Sequence, residues 1–191
     1  MVREAGPDAA RRWLQIACLC AGGGERPARG DQTERLRQGV ASGADFVATL
    51  AGARVEAAGG EVTILRDAGE AARSGLQPVT LAPGRRSIWD GRFELTAAAD
   101  GLHARPLKGM AAALPPGERA GLRAVPAAAR PALPIVAGGG RPPSCPLLAE
   151  DAQVTADCLV GGRLRAACGL VRTESELAPG GDGEPANGAL S

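Results

Sequence analysis

The sequence predicts an α+β fold, in which N-terminal helices precede a short antiparallel β meander with hairpins and a small C-terminal α/β segment. Three observations predict it: helical spacing of apolar residues near the N-terminus, a period of two after Phe46, and mixed strand and helix signals after Leu102. The expected divisions are 1–43 as a helical lead-in, 44–98 as an antiparallel β region, 99–172 as a basic α/β region and 173–191 as a disordered acidic tail.

The first element is predicted to be a helix that Pro7 and Asp8 open and Gly22 ends. Its apolar stripe follows the i, i+3, i+4, i+7 spacing and consists of Trp13, Ile16, Ala17 and Cys20. This stripe docks either on the rest of the chain or on a domain outside it.

A second, short helix is predicted after the glycine-rich break at 22–30. Asp31 and Glu34 have the spacing of a capping box, and Gly39 follows Leu36 closely. The helix is therefore expected to run through Leu36 and to stop at Gly39.

The β region is predicted from alternating apolar residues, which indicate three strands: 46–50, 54–57 and 62–65. Ala51-Gly52 and Gly59-Gly60 supply tight turns between them, so that a meander results. Asp90-Gly91 lies between apolar flanks, which is typical of a β-hairpin.

The C-terminal segment is predicted to begin with a strand at 102–107 that carries His103 and Arg105 on one face. Pro115-Pro116 then opens a helix, ended by Pro126, on which Arg119 and Arg123 share an exposed side. A buried strand at 133–137 follows, with 145–148 as its expected partner.

Positive charge is concentrated in one segment of the chain. The tail holds four acidic residues and no basic one, so that residues 1–172 carry 22 basic and 17 acidic side chains. Within 101–149, Glu118 is the single acid among six basic residues: Arg105, Lys108, Arg119, Arg123, Arg130 and Arg141. Such a segment is either an ordinary solvated face or a surface that binds phosphates.

The number of arginines by itself says little. Lys108 is the single lysine beside 21 arginines, a bias that a GC-rich coding sequence produces. The clustering of the charges is therefore the informative feature, and their abundance is not.

Most catalytic and metal sites are disfavoured by the residues present. The glycine runs at 22–24 and 138–140 lack the Gly-Lys-Ser/Thr or dinucleotide spacing of phosphate loops. Cys18 and Cys20 are one residue apart rather than two, and His103 is the only histidine, so no metal site is expected. Neither a nucleophile with an adjacent base nor any other catalytic residue is predicted.

Five cysteines, an odd number, predict reduced thiols rather than a disulfide framework. The sequence has no apolar stretch long enough to span a bilayer and no signal sequence at its start. A cytoplasmic protein without a membrane partner is therefore expected.

Six phrases of the sequence resemble the C-terminal half of alphaproteobacterial tRNA(Ile)-lysidine synthetases. They are the residues 46–56, 61–66, 89–93, 105–107, 129–135 and 145–148. The paired hairpin phrases before residue 94 are the most specific, and the similarity extends over roughly residues 8–172.

The resemblance implies a function. The family joins lysine to the wobble cytidine of an isoleucine tRNA and uses ATP, with Mg, to activate the base as an adenylate. That chemistry belongs to an N-terminal domain marked by an SGGxDS loop, which this sequence lacks. The resemblance thus implies a truncated or split product that binds no cofactor itself.

By the same resemblance, the RNA contacts are Arg105, Lys108, Arg123 and Arg130, and the partners are tRNA(Ile) and a separate N-terminal catalytic polypeptide. Whether the chain takes part in an enzyme is left open. A non-enzymatic truncated remnant or a general RNA-binding module without catalysis is the alternative. A thiol or metal protein built on the five cysteines is a third hypothesis.

Overall fold

A computed structural model describes residues 6–70 and 76–171, and the predicted disordered tail lies outside these residues. The described helices are α1 (Pro7–Gly22), α2 (Gly30–Ser42), α3 (Pro116–Gly121) and α4 (Val160–Ala167). Single 3-10 turns lie at Ala111–Ala113, Leu122–Ala124 and Arg130–Ala132. Together with the strands below, they confirm the predicted α+β class.

Ten strands of the described residues form three sheets. The strands are β1 (Phe46–Leu50), β2 (Ala53–Ala58), β3 (Glu61–Arg66), β4 (Val79–Leu81), β5 (Arg86–Trp89), β6 (Phe93–Ala97), β7 (Leu102–Pro106), β8 (Pro134–Gly138), β9 (Arg141–Ser144) and β10 (Val154–Cys158). The orders are β1-β2-β3, β10-β6-β5 and β4-β7-β8-β9, and neighbouring strands are antiparallel throughout.

The predicted meander and hairpin are confirmed, together with the turns that make them. Ala51 and Gly52 have φ of 50° and 78°, and Asp90 and Gly91 have φ of 53° and 61°. Positive φ at both central residues defines the hairpin turn whose twist matches that of the strands. Glycine in these residue pairs predicted the turns correctly because the turns require positive φ, which glycine adopts without strain.

Helix α1 has the predicted bounds, but the centre of its buried face is shifted by one residue. Leu14 and Cys18 are fully buried, whereas the predicted Trp13 and Ile16 are half-buried. Leu14 packs in one cluster with Leu36 of α2 and Val55 of β2. The front helices therefore dock on this chain.

The predicted capping box and end of α2 are wrong. The side chain of Asp31 pairs with Arg35, and that of Glu34 pairs with Arg37, so neither carboxylate caps the helix. The helix continues through Gly39. A Cβ at this position would lie 3.3 Å from the ring of Phe46, so glycine is present here to make room for that ring and not to end the helix. It ends at Gly43, which has φ of 72°.

Two expectations for the C-terminal segment are also wrong. Strand β8 lies between β7 and β9 and does not pair with 145–148, because the N–H of Cys145 donates to the Glu118 carboxylate at 2.6 Å instead of to a strand. Helix α3 ends at Gly121, so that Arg123 lies on the following 3-10 turn and not on the helix of Arg119.

Strand β10 and helix α4 were not anticipated from the sequence. Strand β10 pairs with β6 over the register Val154–Ala97 to Cys158–Phe93, and thereby completes the sheet of the Asp90-Gly91 hairpin. The pairing joins residues on either side of the expected boundary at 98. The division of the chain into folding units stays a prediction.

Three backbone turns meet at a point that we call the junction: the end of α1 at Gly22-Gly23, the β1–β2 turn and the β5–β6 turn. A Cβ at Gly23 would lie 1.9 Å from the carbonyl oxygen of Asp90, and one at Gly22 would lie 2.1 Å from that of Ala51. Glycine is required at both positions because the backbones themselves are in contact.

Buried arginines hold the junction together. Arg66 donates to the Asp90 carboxylate through Nε and Nη2, at 3.1 and 3.0 Å, and to the carbonyl of Gly52 at 2.9 Å. Arg92 donates to the same carboxylate at 2.7 Å and to the carbonyl of Ala132 at 2.6 Å. Arg163 of α4 adds hydrogen bonds to the carbonyls of Gly91 and Gly24. The junction therefore ties three distant stretches of sequence into one unit.

Candidate nucleic-acid interface

The basic segment folds as a layer over one face of the four-stranded sheet. Leu114 and Leu122 of the layer pack against Ile135 of β8 and against Leu107 and Cys145. We use "basic layer" for residues 105–133, which include Leu107, Leu114 and Leu122 and five of the six basic side chains of the segment. The apolar residues are buried against the sheet, whereas Lys108, Arg119 and Arg123 are exposed.

The single acid of the segment does not face solvent with them. Glu118 is 5% exposed, and its carboxylate accepts from the hydroxyl of Ser144 at 2.9 Å and from the backbone N–H of Cys145 at 2.6 Å. Both partners belong to the end of β9, so Glu118 fastens α3 to the sheet. Its negative charge is consequently directed inward and away from the basic side chains.

Arg105 and Lys108 are placed by the end of β7. Arg105 pairs with Ile135 in the register of β7 and β8, and this pairing is extended by the N–H of Lys108, which donates to the carbonyl of Pro131 at 3.1 Å. Lys108 is exposed and Arg105 is half-buried. The extension joins Lys108 to Pro131, the residue that follows Arg130.

Arg130 holds the loop that presents Arg123. Its Nε donates to the carbonyl of Val125 at 2.8 Å, and its Nη2 donates to that of Arg123 at 3.2 Å. Arg123 is itself exposed, as is Arg119, which donates to the carbonyl of Ala112 at 3.2 Å. The guanidinium of Arg130 is therefore hydrogen-bonded to the backbone of Arg123, so two of the four predicted RNA contacts are linked directly.

Arg141 differs from the other five basic residues of the segment because its charge is paired. Its Nη1 donates to Asp151 at 2.9 Å, and its Nη2 contacts the second carboxylate oxygen. Burial alone would raise the pKa of Asp151, but the hydrogen bonds from Arg141 and from the N–H of Gln153 outweigh it and lower the pKa. Arg141 is therefore a fixed structural ion-pair partner.

The five basic side chains of the layer have no such partner among residues 6–70 and 76–171. No carboxylate of these residues lies within 4 Å of the side chain of Arg105, Lys108, Arg119, Arg123 or Arg130. The charge predicted from the sequence is thus not neutralised within the described part of the chain. Whether these residues bind RNA stays a prediction.

Two of the five cysteines, Cys18 and Cys145, are poor sources of thiolate because they are buried. Burial raises the pKa of Cys18 to about 12 and that of Cys145 to about 11, so both remain protonated near neutral pH. Among the described residues, no group of three or more His, Cys, Asp or Glu side chains could hold a metal ion. All five cysteines are free thiols.

An apolar groove of about 320 Å³ lies elsewhere, between α2 and β1. Leu36, Phe46 and Leu50 line it, and its one charged side chain, Arg35, is paired with Asp31. The groove therefore adds no free charge to the basic layer. None of the helices formed by the described residues is long and apolar enough to cross a bilayer.

Comparison with known proteins gives one informative relative. The chain is 46% identical over 168 residues to the tRNA(Ile)-lysidine synthase of Caulobacter vibrioides, a match that covers 85% of this chain and 41% of that protein. The chain thus spans less than half the length of the relative. No family model and no solved structure matches it. The resemblance drawn from the sequence is confirmed.

Proposed function

With its kinship to a tRNA(Ile)-lysidine synthase as the premise, we propose that this chain is the tRNA-binding accessory part of such an enzyme. The observation that carries the proposal is the charge pattern of the basic layer. Five cationic side chains lie in one layer, and the only acid of that layer, Glu118, is directed into the protein. Phosphate-rich RNA requires such an arrangement of cations with few acids between them.

Under this proposal the chain binds tRNA, and a separate catalytic domain carries out the reaction. The sequence has no SGGxDS loop, so ATP and Mg would be bound by a catalytic domain that carries this loop. Transfer of lysine to the wobble cytidine of tRNA(Ile) is then the activity of the complete cytoplasmic enzyme. The role of this chain is to hold the tRNA so that the anticodon reaches that domain.

The energetic contribution of the layer to binding is expected to depend strongly on salt. Each phosphate that a cation neutralises releases counterions, and the logarithm of the binding constant falls with the logarithm of the salt concentration by about 0.7 to 0.9 per phosphate. If most of the five cations engage, the slope is about −3 to −4. A slope close to zero would contradict a phosphate-binding surface.

The test is a filter-binding titration of the purified chain with tRNA(Ile) and with an unrelated tRNA over a range of salt concentrations. Tighter binding of tRNA(Ile) supports the accessory role. Equal binding of both supports a general RNA-binding module, and no binding even at low salt supports a remnant without RNA function. The thiol or metal alternative predicts stoichiometric zinc in the purified protein, which metal analysis measures directly.

A further inference from the structure

We propose that Arg105 is the anchoring phosphate contact of the basic layer, and that Met110 covers its guanidinium until an RNA phosphate replaces the sulfur. This inference rests on the proposed function and specifies the group that does the binding. It starts from one atom: the Nε of Arg105 is buried, and no hydrogen-bond acceptor among the described residues reaches it.

The arginines elsewhere in the described ranges make this atom exceptional. The other buried and half-buried ones find oxygen acceptors. These are a carboxylate for Arg11, Arg37, Arg54, Arg66, Arg92 and Arg141, and carbonyls for Arg130 and Arg163. A buried donor without an acceptor is costly, and native structures contain few of them. An orphaned guanidinium nitrogen in a surface layer therefore indicates an acceptor that comes from outside the chain.

The remaining contact of Arg105 supports the same conclusion. Its Nη2 lies 3.9 Å from the sulfur of Met110. A thioether is a weak acceptor, so it satisfies a charged donor poorly. The unpartnered Nε and this Nη2 lie on the same edge of the guanidinium group, and that edge presents two parallel N–H donors. Two oxygens of a phosphodiester match these two donors.

Met110 must move for this contact to form, and its position allows it. The residue is half-buried and lies in the turn that the N–H of Met110 closes onto the carbonyl of Leu107 at 2.7 Å. Methionine has three flexible torsions and adapts readily to a new neighbour. Lys108 lies in the same turn and is exposed, so it supplies a second cation at the point where the phosphate would enter.

Substitution of Arg105 by lysine distinguishes a bidentate contact with one phosphate from a general effect of positive charge. Lysine at position 105 keeps the charge but presents no planar pair of donors. We therefore expect Arg105→Lys to weaken tRNA(Ile) binding about tenfold, the loss of one bidentate charged contact. Arg12→Lys is the matched control, because Arg12 is exposed on α1 and lies outside the basic layer, and it should bind as the parent does.

Met110→Ala tests the cover separately. Removing the thioether opens the guanidinium edge, so that tRNA(Ile) binding is maintained or strengthened. Arg105→Lys should leave the thermal midpoint within about two degrees of the parent, since the free protein gains little from an unsatisfied donor. Unchanged tRNA affinity in Arg105→Lys, or an equal loss in Arg12→Lys, overturns the proposal.

Inorganic phosphate separates this inference from the proposed function. If the parent chain binds no tRNA, the proposed function fails, and the site is then judged by the thermal midpoint in added phosphate. A rise in the parent that is absent in Arg105→Lys supports a phosphate site at Arg105. An equal response of both proteins, or none in either, overturns it.

Discussion

The junction and the basic layer use the same residue type in opposite ways. Arg66 and Arg92 of the junction have side chains that are 8% exposed, and Asp90 and backbone carbonyls accept their hydrogen bonds. Arg119 and Arg123 of the basic layer are exposed and have no acidic partner among the described residues. The acceptors within the chain, rather than the number of arginines, separate structural arginines from available ones.

The electrostatic cost of the two arrangements differs as well. Burial lowers the pKa of Arg92, although the neighbouring Asp90 acts in the opposite direction. The guanidinium also lies 4.6 Å from the ring centre of Phe93, a favourable cation–π contact. Hydrogen bonds to Asp90 and to the carbonyl of Ala132 offset part of the cost of burying this charge. Arg119 and Arg123 of the basic layer are exposed and bear no comparable desolvation cost.

The largest expected effect is a change of backbone packing at the junction. Gly23→Ala places a Cβ against the Asp90 carbonyl at a residue with φ of 66°, and we expect a loss of about 3 to 5 kcal/mol of unfolding free energy. Gly60→Ala is the control, because φ there is 87° and no atom lies within 4 Å, so that only the backbone cost of about 1–2 kcal/mol applies. Urea unfolding measures both, and equal losses would show that the turns do not pack as described.

The next effect concerns the charge at the centre of the junction. Asp90→Asn leaves two buried guanidinium groups without their carboxylate, and we expect a loss of about 3 kcal/mol by urea unfolding. Asp31→Asn removes an ion pair whose side chains are 69% and 73% exposed, and should cost less than about 0.5 kcal/mol. A loss at Asp90 no larger than that at Asp31 would remove the distinction between the two kinds of arginine.

Arg130 combines features of the structural arginines and of the available ones, so its substitution tests the comparison. Its guanidinium donates to the carbonyls of Val125 and Arg123, so Arg130→Met should cost about 1–2 kcal/mol of unfolding free energy. Arg123→Met removes an exposed side chain and should change stability by less than about 0.5 kcal/mol. Both variants should weaken tRNA binding. Full stability in Arg130→Met would instead place this residue with the available arginines.

The smallest effect is a pH dependence from Arg141 and Asp151. The pKa of Asp151 is lowered in the folded protein, so its carboxylate adds stability above the unfolded pKa of about 4 and loses it as the pH falls through the folded pKa. Asp151→Asn lacks this titration. Thermal midpoints measured from pH 6 down to pH 3 should therefore fall more steeply in the parent than in Asp151→Asn, and parallel curves would contradict the ion pair.

Local signals in the sequence predicted what depends on local geometry. Asp90-Gly91 and Ala51-Gly52 identified their turns because positive φ is a property of the turn itself. The end of α2 was predicted too early. Gly39 lies inside the helix, where the absence of a side chain makes room for Phe46 of β1, and this contact with another element is not visible in the sequence. Strand β10 was missed because its partner is β6, more than fifty residues earlier in the sequence.

The sequence likewise predicted only the local features of the candidate site. The cluster of positive charge is a sequence property and is present in the structure as the basic layer. The inward direction of Glu118, the pairing of Arg141 with Asp151 and the orphaned Nε of Arg105 all depend on contacts between separate elements. These contacts decide which of the basic side chains are free, and no spacing in the sequence reports them.

The return of β10 to β6 determines when the protein can finish folding during translation. The hairpin of β5 and β6 leaves the ribosome with one side of β6 unpaired, and it stays so until residues 154–158 have been synthesised. Contacts between such distant residues form slowly. Until they form, the unpaired edge of β6 can form hydrogen bonds with strands of other chains. Slower synthesis of residues 98–158 would therefore lengthen the period in which nascent chains are prone to aggregate.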